Sequence, residues 1–97
     1  NKMKGSKKEA EKINVELNNL GTVNQNCVVI NKGGRQCNLY FSYSTIVSVD
    51  GVTSQNDWST TTGKLLNKLC PDKKKRVPHS EVLKEADKRI KYVLYEK

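Results

Sequence analysis

Between residues 35 and 43 apolar and polar side chains alternate. Cys37, Leu39, Phe41 and Tyr43 fall on one face and Gln36, Asn38, Tyr40 and Ser42 on the other. A period of two is the signature of an extended strand with one buried and one wet face. Just upstream, Cys27-Val28-Val29-Ile30 is an uninterrupted apolar run, and Asn31-Lys32-Gly33-Gly34 supplies residues that accept positive φ. A two-residue Gly33-Gly34 loop therefore predicts a hairpin with Lys32 opposite Arg35, Ile30 opposite Cys37 and Cys27 opposite Tyr40. Ile46-Val47-Ser48-Val49, then Asp50-Gly51, then Val52-Thr53-Ser54 repeats that logic. The chain is thus expected to carry an antiparallel meander of three or four strands, over about 23–31, 35–43, 45–49 and 52–57.

Helices are expected on either side of it. Ser6-Lys7-Lys8-Glu9 has the form of a capping box, and Ala10, Ile13, Leu17 and Leu20 follow at spacings of three and four; this predicts a helix over about 7–20. Ser59 or one of Thr60, Thr61 and Thr62 caps a second helix, about 61–69, carrying Leu65, Leu66 and Leu69 and ended by Pro71. A charged connector, 71–78, leads to Ser80, which is placed to cap a third helix over about 80–95. Val82, Leu83, Ala86, Ile90, Val93 and Leu94 form its apolar stripe. With 97 residues, 35% of them hydrophobic, the reading is one small α+β domain with helices on one face of the sheet and a single modest core.

Several classes of function lack their signatures. No stretch approaches the roughly 18 apolar residues that cross a bilayer. The basic start Asn1 to Lys8 leads into no apolar signal region, so neither a membrane-spanning nor a secreted chain is expected. The absence of an initial Met is what a processed or trimmed start leaves. Cys27, Cys37 and Cys70 are odd in number, and the hairpin register keeps the first two from bridging, so all three are read as reduced thiols. With His79 they make four potential zinc ligands, but their spacing lacks the short Cys-x2–4-Cys knuckle that preorganises such sites. No cofactor is expected. His79, the one histidine, stands before a helix without a neighbouring nucleophile and reads as an exposed pre-cap residue, and Gly33-Gly34 lies in a hairpin rather than a phosphate loop, so no catalytic constellation is expected either.

Charge is the feature left to explain. Eighteen Lys and Arg stand against ten Asp and Glu, for a formal net charge of +8. Lys73, Lys74, Lys75 and Arg76 are consecutive between two prolines, and Lys84, Lys88 and Lys91 follow on one face of the last helix, with Tyr92 and Tyr95 beyond. Loop and helix together would make a phosphate-tracking stripe. Glu81, Glu85 and Asp87 lie within helical reach of those lysines, so part of the stripe is open to pairing in cis, and a solvated helix face is the plainer alternative. The same tetrad also has the form of a nuclear import signal held extended, a short motif that lysine-rich chains carry by chance. Tyr40, on the polar face of its strand, is a candidate stacking ring for a base, or else a residue packed under the first helix or at the sheet rim.

Phe41-Ser42-Tyr43-Ser44-Thr45-Ile46-Val47 followed by Trp58-Ser59-Thr60-Thr61-Thr62-Gly63-Lys64-Leu65-Leu66-Asn67 resembles a family of small, functionally uncharacterised tailed-phage proteins. These show an aromatic-Ser-aromatic strand, a Thr before an apolar pair, and an aromatic-Ser-x-Thr-Thr-x-Lys step into a helix. The likeness spans about residues 38–70. The His that often follows the Lys in that family is Leu65 here, so no role of that His carries over. The resemblance implies a phage protein acting in the cytoplasm of an infected bacterium. It implies a non-enzymatic inhibitor or regulator that binds a host protein or nucleoprotein complex, in the manner of proteins that block CRISPR-type nucleases. The expected contact surface is Lys73 to Arg76 and the last helix. The alternative is direct DNA or RNA binding through the same surface.

Overall fold

The Gly33-Gly34 turn sets the register of the central hairpin. In the computed structural model, which describes residues 12–95, Gln25–Lys32 pairs antiparallel with Arg35–Ser42, placing Lys32 opposite Arg35, Ile30 opposite Cys37 and Cys27 opposite Tyr40. Both loop glycines have positive φ, 58° and 86°, the conformation that lets a two-residue turn follow the right-handed twist of its strands. Asp50-Gly51 makes a second such turn, between Thr45–Val49 and Val52–Thr53. Asp50 tolerates φ 46° because its carboxylate Oδ1 accepts the Asn38 backbone N–H at 2.9 Å.

The sheet has five strands in sequence order, all antiparallel: β1 (Ile13–Asn19), β2 (Gln25–Lys32), β3 (Arg35–Ser42), β4 (Thr45–Val49) and β5 (Val52–Thr53). Two helices follow, α1 (Thr60–Leu69) and α2 (His79–Tyr95), separated by a 3-10 turn at Lys73–Lys75. The molecule is a small α+β fold, with more strand and less helix than expected. The helix predicted over 7–20 is a strand from Ile13 onward; its first part, with the Ser6 to Glu9 box, lies outside the described residues. Ile13 and Leu17 fit a helical stripe, but with Val15 they also fit an alternation. The decision is non-local, because without β1 the long strand β2 would present an unpaired row of backbone groups. At the other end, 52–57 contributes only Val52 and Thr53 to the sheet, and Ser54 then bridges in parallel to Val77.

Both faces of the sheet are covered, not one. Cys37, Leu39 and Val49 pack with Val82, Ala86 and Val93 of α2. Val47 packs with Leu65 and Leu66 of α1, with Tyr40 and Leu69 at the margin. A bulge makes the second cluster available: Leu39 pairs with Val49 and Tyr40 with Ser48, but Phe41 pairs with Ile46, leaving Val47 as the extra residue turned to the α1 side. The face expected to be wet therefore carries a small core of its own. Tyr43, predicted to face inward on β3, instead occupies the β3–β4 turn with φ 57° and is mostly exposed.

The last helix is held by more than its apolar stripe. Lys32 Nζ donates to the Leu94 carbonyl at 2.6 Å and Arg35 Nη1 to the Tyr92 carbonyl at 3.1 Å, so the hairpin tip satisfies carbonyls at the helix C-terminus. The helix begins at His79, one residue before the expected cap Ser80. His79 is half-buried rather than exposed, with Nε2 2.9 Å from the Ile46 carbonyl and its ring edge-on to Trp58 at 4.9 Å. Among the described residues no helix is long and apolar enough to cross a membrane.

Candidate functional site

The step from sheet to α1 brings the motif residues together. Ser59 caps α1, its hydroxyl accepting the Thr62 N–H at 3.3 Å. Thr62 then shares a 2.8 Å hydroxyl contact with Ser42, buried on β3, and Gln25 Nε2 donates to the Thr61 carbonyl at 3.2 Å. Thr62 and Ser42 thus fasten α1 to the sheet and, with Tyr43, Val47 and Trp58, line a cleft of about 300 Å³. The aromatic-Ser-aromatic strand and the Trp-Ser-x-Thr-Thr step are two halves of one joint.

The opposite side of α1 faces a larger cleft of about 390 Å³. Thr60, Gly63, Lys64 and Asn67 share that side at helical spacing and form one wall. Gln55 and Asn56 form the rim, and Lys73 and Arg76 close it from the turn. Rim and wall are tightly joined, for a Cβ on Gly63 would lie 2.7 Å from Asn56 Nδ2. Asn56 is itself held, accepting from the Trp58 N–H at 3.0 Å and donating to the Ser59 carbonyl at 3.2 Å. Three cations and no carboxylate line this cleft.

The four cations of the basic connector part company. Asp72 caps the 3-10 turn, accepting the Lys74 N–H at 3.0 Å, so the segment is wound rather than held extended. Lys73, Lys74 and Lys75 remain exposed, and none has a carboxylate within 4 Å among the described residues. Arg76, predicted to be a surface contact, is 7% exposed. Its Nε donates to the Cys70 carbonyl at 3.0 Å and its Nη2 to Asn67 Oδ1 at 2.7 Å, which ties the turn to the C-terminus of α1.

The cations of α2 are largely answered in place. Lys84 pairs with Glu81 at 3.3 Å and Lys91 with Asp87 at 2.9 Å. Arg89 bonds Glu85 and stands 3.9 Å from Asp50. The bond to Arg89 holds the Glu85 carboxyl below the usual range. Of the predicted lysine stripe, only Lys88 makes no ion pair among the described residues. Tyr92 lies under the Arg35 guanidinium, 5.1 Å from its carbon, and Tyr95 is exposed near the helix end. Tyr40 does not present a free ring to a base, since it is half-buried against Val47, Leu65 and Leu66, and burial pushes its hydroxyl pKa up. Cys27 and Cys37 are buried, with burial raising both thiols, while Cys70 is half-buried in the loop after α1 with its thiol donating to the Asp72 carbonyl at 3.4 Å. Among the described residues no three His, Cys, Asp or Glu side chains gather as a metal site.

Two contributors were missed in the sequence, Lys64 and Lys68 of α1, which add to the cations of the turn. A windowed charge count would have found them: residues 60–76 hold six cations against one carboxylate, and the equally long 79–95 holds four against three. No curated protein and no solved structure matches the chain. Residues 3–85 match a family of unknown function (DUF8033), and over that span, most of its length, the chain belongs to this family.

Proposed function

We propose that this chain is a small, non-enzymatic binding protein of tailed-phage type that docks on a host nucleoprotein complex and regulates or inhibits it. The docking face keeps the Lys73–Lys75 part of the connector that the sequence favoured and takes α1 in place of the last helix. The observation that carries this is the unequal fate of the cations. Those of α2 are mostly paired in cis, whereas Lys64, Lys68, Lys73, Lys74 and Lys75 have no carboxylate within 4 Å among the described residues. Unanswered charges on one face raise the rate and selectivity of encounter with an anionic surface. A binding role without catalysis is supported by His79, whose Nε2 is engaged with a backbone carbonyl and whose ring packs on Trp58.

The test is capture of partners from bacterial lysate on the tagged protein, with and without exhaustive nuclease. A discrete host protein captured in the untreated lysate, whether or not nuclease then releases it, supports docking on a host complex; capture of nucleic acid with no discrete protein refutes it. Direct nucleic-acid binding is the second reading, favoured by three consecutive exposed ammonium groups on one turn. For a phosphate-backbone binder, changing Lys73, Lys74 and Lys75 to Ala would make the slope of log K against log salt less negative by about 2.7. An unchanged slope would exclude those contacts.

A further inference from the structure

We propose that the cleft between α1 and the Lys73–Lys75 turn is a binding site for a phosphate-class oxyanion, with Arg76 at its base. Arg76 is a buried guanidinium whose hydrogen bonds among the described residues go only to neutral groups. Taking a charge out of water is costly unless it is paired and hydrogen-bonded. Arg76 is 7% exposed, yet its contacts are the Cys70 carbonyl and the Asn67 amide oxygen, and none of the described carboxylates pairs with it. A guanidinium has five N–H donors, and those two bonds occupy Nε and one position on Nη2. Among the described residues no hydrogen bond engages Nη1, and Arg76 is one of the residues that line the cleft.

The surroundings match an anion and not a cation. Lys64 and Lys73 line the same cleft with no carboxylate partner among the described residues, and the polar groups beside them include the amides of Gln55 and Asn56. A planar guanidinium and two ammonium groups lining one cleft suit a tetrahedral oxyanion, which takes charge-assisted bonds from several directions at once. The site is preorganised on both sides of Arg76. The 3-10 turn fixes its backbone N–H on the Lys73 carbonyl at 3.3 Å, and Val77 is clamped between Thr53 and Gln55 by bonds of 2.9 and 2.8 Å. Binding an anion there would need little rearrangement of the base, which lowers the cost of association.

This inference deepens the docking reading by naming what the face would grip, and it rests on that reading for the face alone. The experiment is a titration of the isotope-labelled protein at constant ionic strength, followed by amide NMR shifts. Inorganic phosphate is the probe in one arm, dimethyl phosphate in the second and chloride in the third. Saturable shifts at Asn56, Gly63, Asn67 and Arg76 with either phosphate, absent with chloride, are expected. Preference for the diester points to a nucleic-acid backbone as source, and preference for inorganic phosphate to a terminal phosphate group. Lys64→Ala with Lys73→Ala, both surface changes that spare Arg76, should weaken saturation at least about tenfold, the loss of one charge-assisted bond. Shifts that follow ionic strength regardless of the anion, or affinity unchanged in the double variant, would overturn the site. Lys74 and Lys75 do not line the cleft, so Lys74→Ala with Lys75→Ala separates the two readings. That variant should keep phosphate binding, and any loss of partner capture in it then belongs to docking and not to the cleft.

Discussion

Raising the pH should destabilise this fold by a calculable amount through one buried thiol. Cys37 is fully buried on β3 beneath α2, and burial foremost, with the Asp50 carboxylate adding to it, pushes its pKa from 9.0 up to about 11. The folded chain therefore holds the thiol proton more tightly than the unfolded chain does. The resulting stabilisation is complete below about pH 9 and is lost as pH rises through the folded value. At pH 10 the loss relative to neutral pH is about 1.4 kcal/mol, and it tends to about 2.7 kcal/mol above pH 11. For a domain of this size that is a sizeable part of the total stability.

The assay is urea unfolding by circular dichroism at pH 7.5, 9 and 10 under reducing conditions, for the wild type and Cys37→Ala. The substitution leaves a small void whose cost does not depend on pH. Burial also raises Cys27 and Tyr40, so both proteins weaken in alkali through those groups, and the difference between the two profiles isolates Cys37. The gap between wild type and variant should narrow by about 1.4 kcal/mol between pH 7.5 and 10. Parallel profiles would refute the assignment of a tightly held proton to Cys37.

Leu66, fully buried under the sheet, should cost about 2–5 kcal/mol as Leu66→Ala, whereas Leu17→Ala on the exposed strand β1 should stay within about 0.5 kcal/mol; equal costs by denaturant titration would contradict the placement of the second core. Gly63→Ala should fail to deliver the roughly 1 kcal/mol that a helix-interior glycine usually gains, because the new Cβ displaces Asn56 from its bonds to Trp58 and Ser59; a full gain in Tm-derived stability would show that the rim yields freely. Tyr43→Asn should stabilise by about 1 kcal/mol, since Asn accepts the φ of 57° that a tyrosine adopts at a cost; a loss in the same measurement would mean that the ring earns its place in the Trp58 cleft.

What the sequence made legible was local. Gly33-Gly34 and Asp50-Gly51 carry their turn geometry in two residues each, and strand register follows from the turn. Ser59 and the leucines after it announce α1 in the same way. Ile13, Val15 and Leu17 could not be decided locally. Helical spacing and alternation both run through them, and they end in a strand that shares a face with Val28 and Ile30 but reaches past the cover of α2. Ile13, Val15 and Leu17 remain 54%, 59% and 70% exposed, so burial did not select the strand; the open edge of β2 did. The β4 bulge was likewise invisible, because one extra residue changes which side Val47 faces without altering any pattern a reader would score.

The candidate site failed to show for a different reason, which bears on how basic chains are read. A run of four cations looks uniform in sequence, yet Arg76 differs from Lys73, Lys74 and Lys75 as soon as Cys70 and Asn67 are brought beside it. Tertiary contact converts one of four solvated charges into a fixed donor and leaves the other three exposed around it. The opposite conversion occurs on α2, where carboxylates at spacings of three and four withdraw Lys84, Arg89 and Lys91 from long-range attraction. A stripe drawn by counting lysines thus overstates the helix and understates the turn. The asymmetry decides where an anion is attracted, since within a Debye length of about 8 Å an exposed pair presents little net charge while an unpaired lysine presents its full charge. Among the described residues the positive field should therefore be strongest over α1 and the Lys73–Lys75 turn, around the buried guanidinium of Arg76.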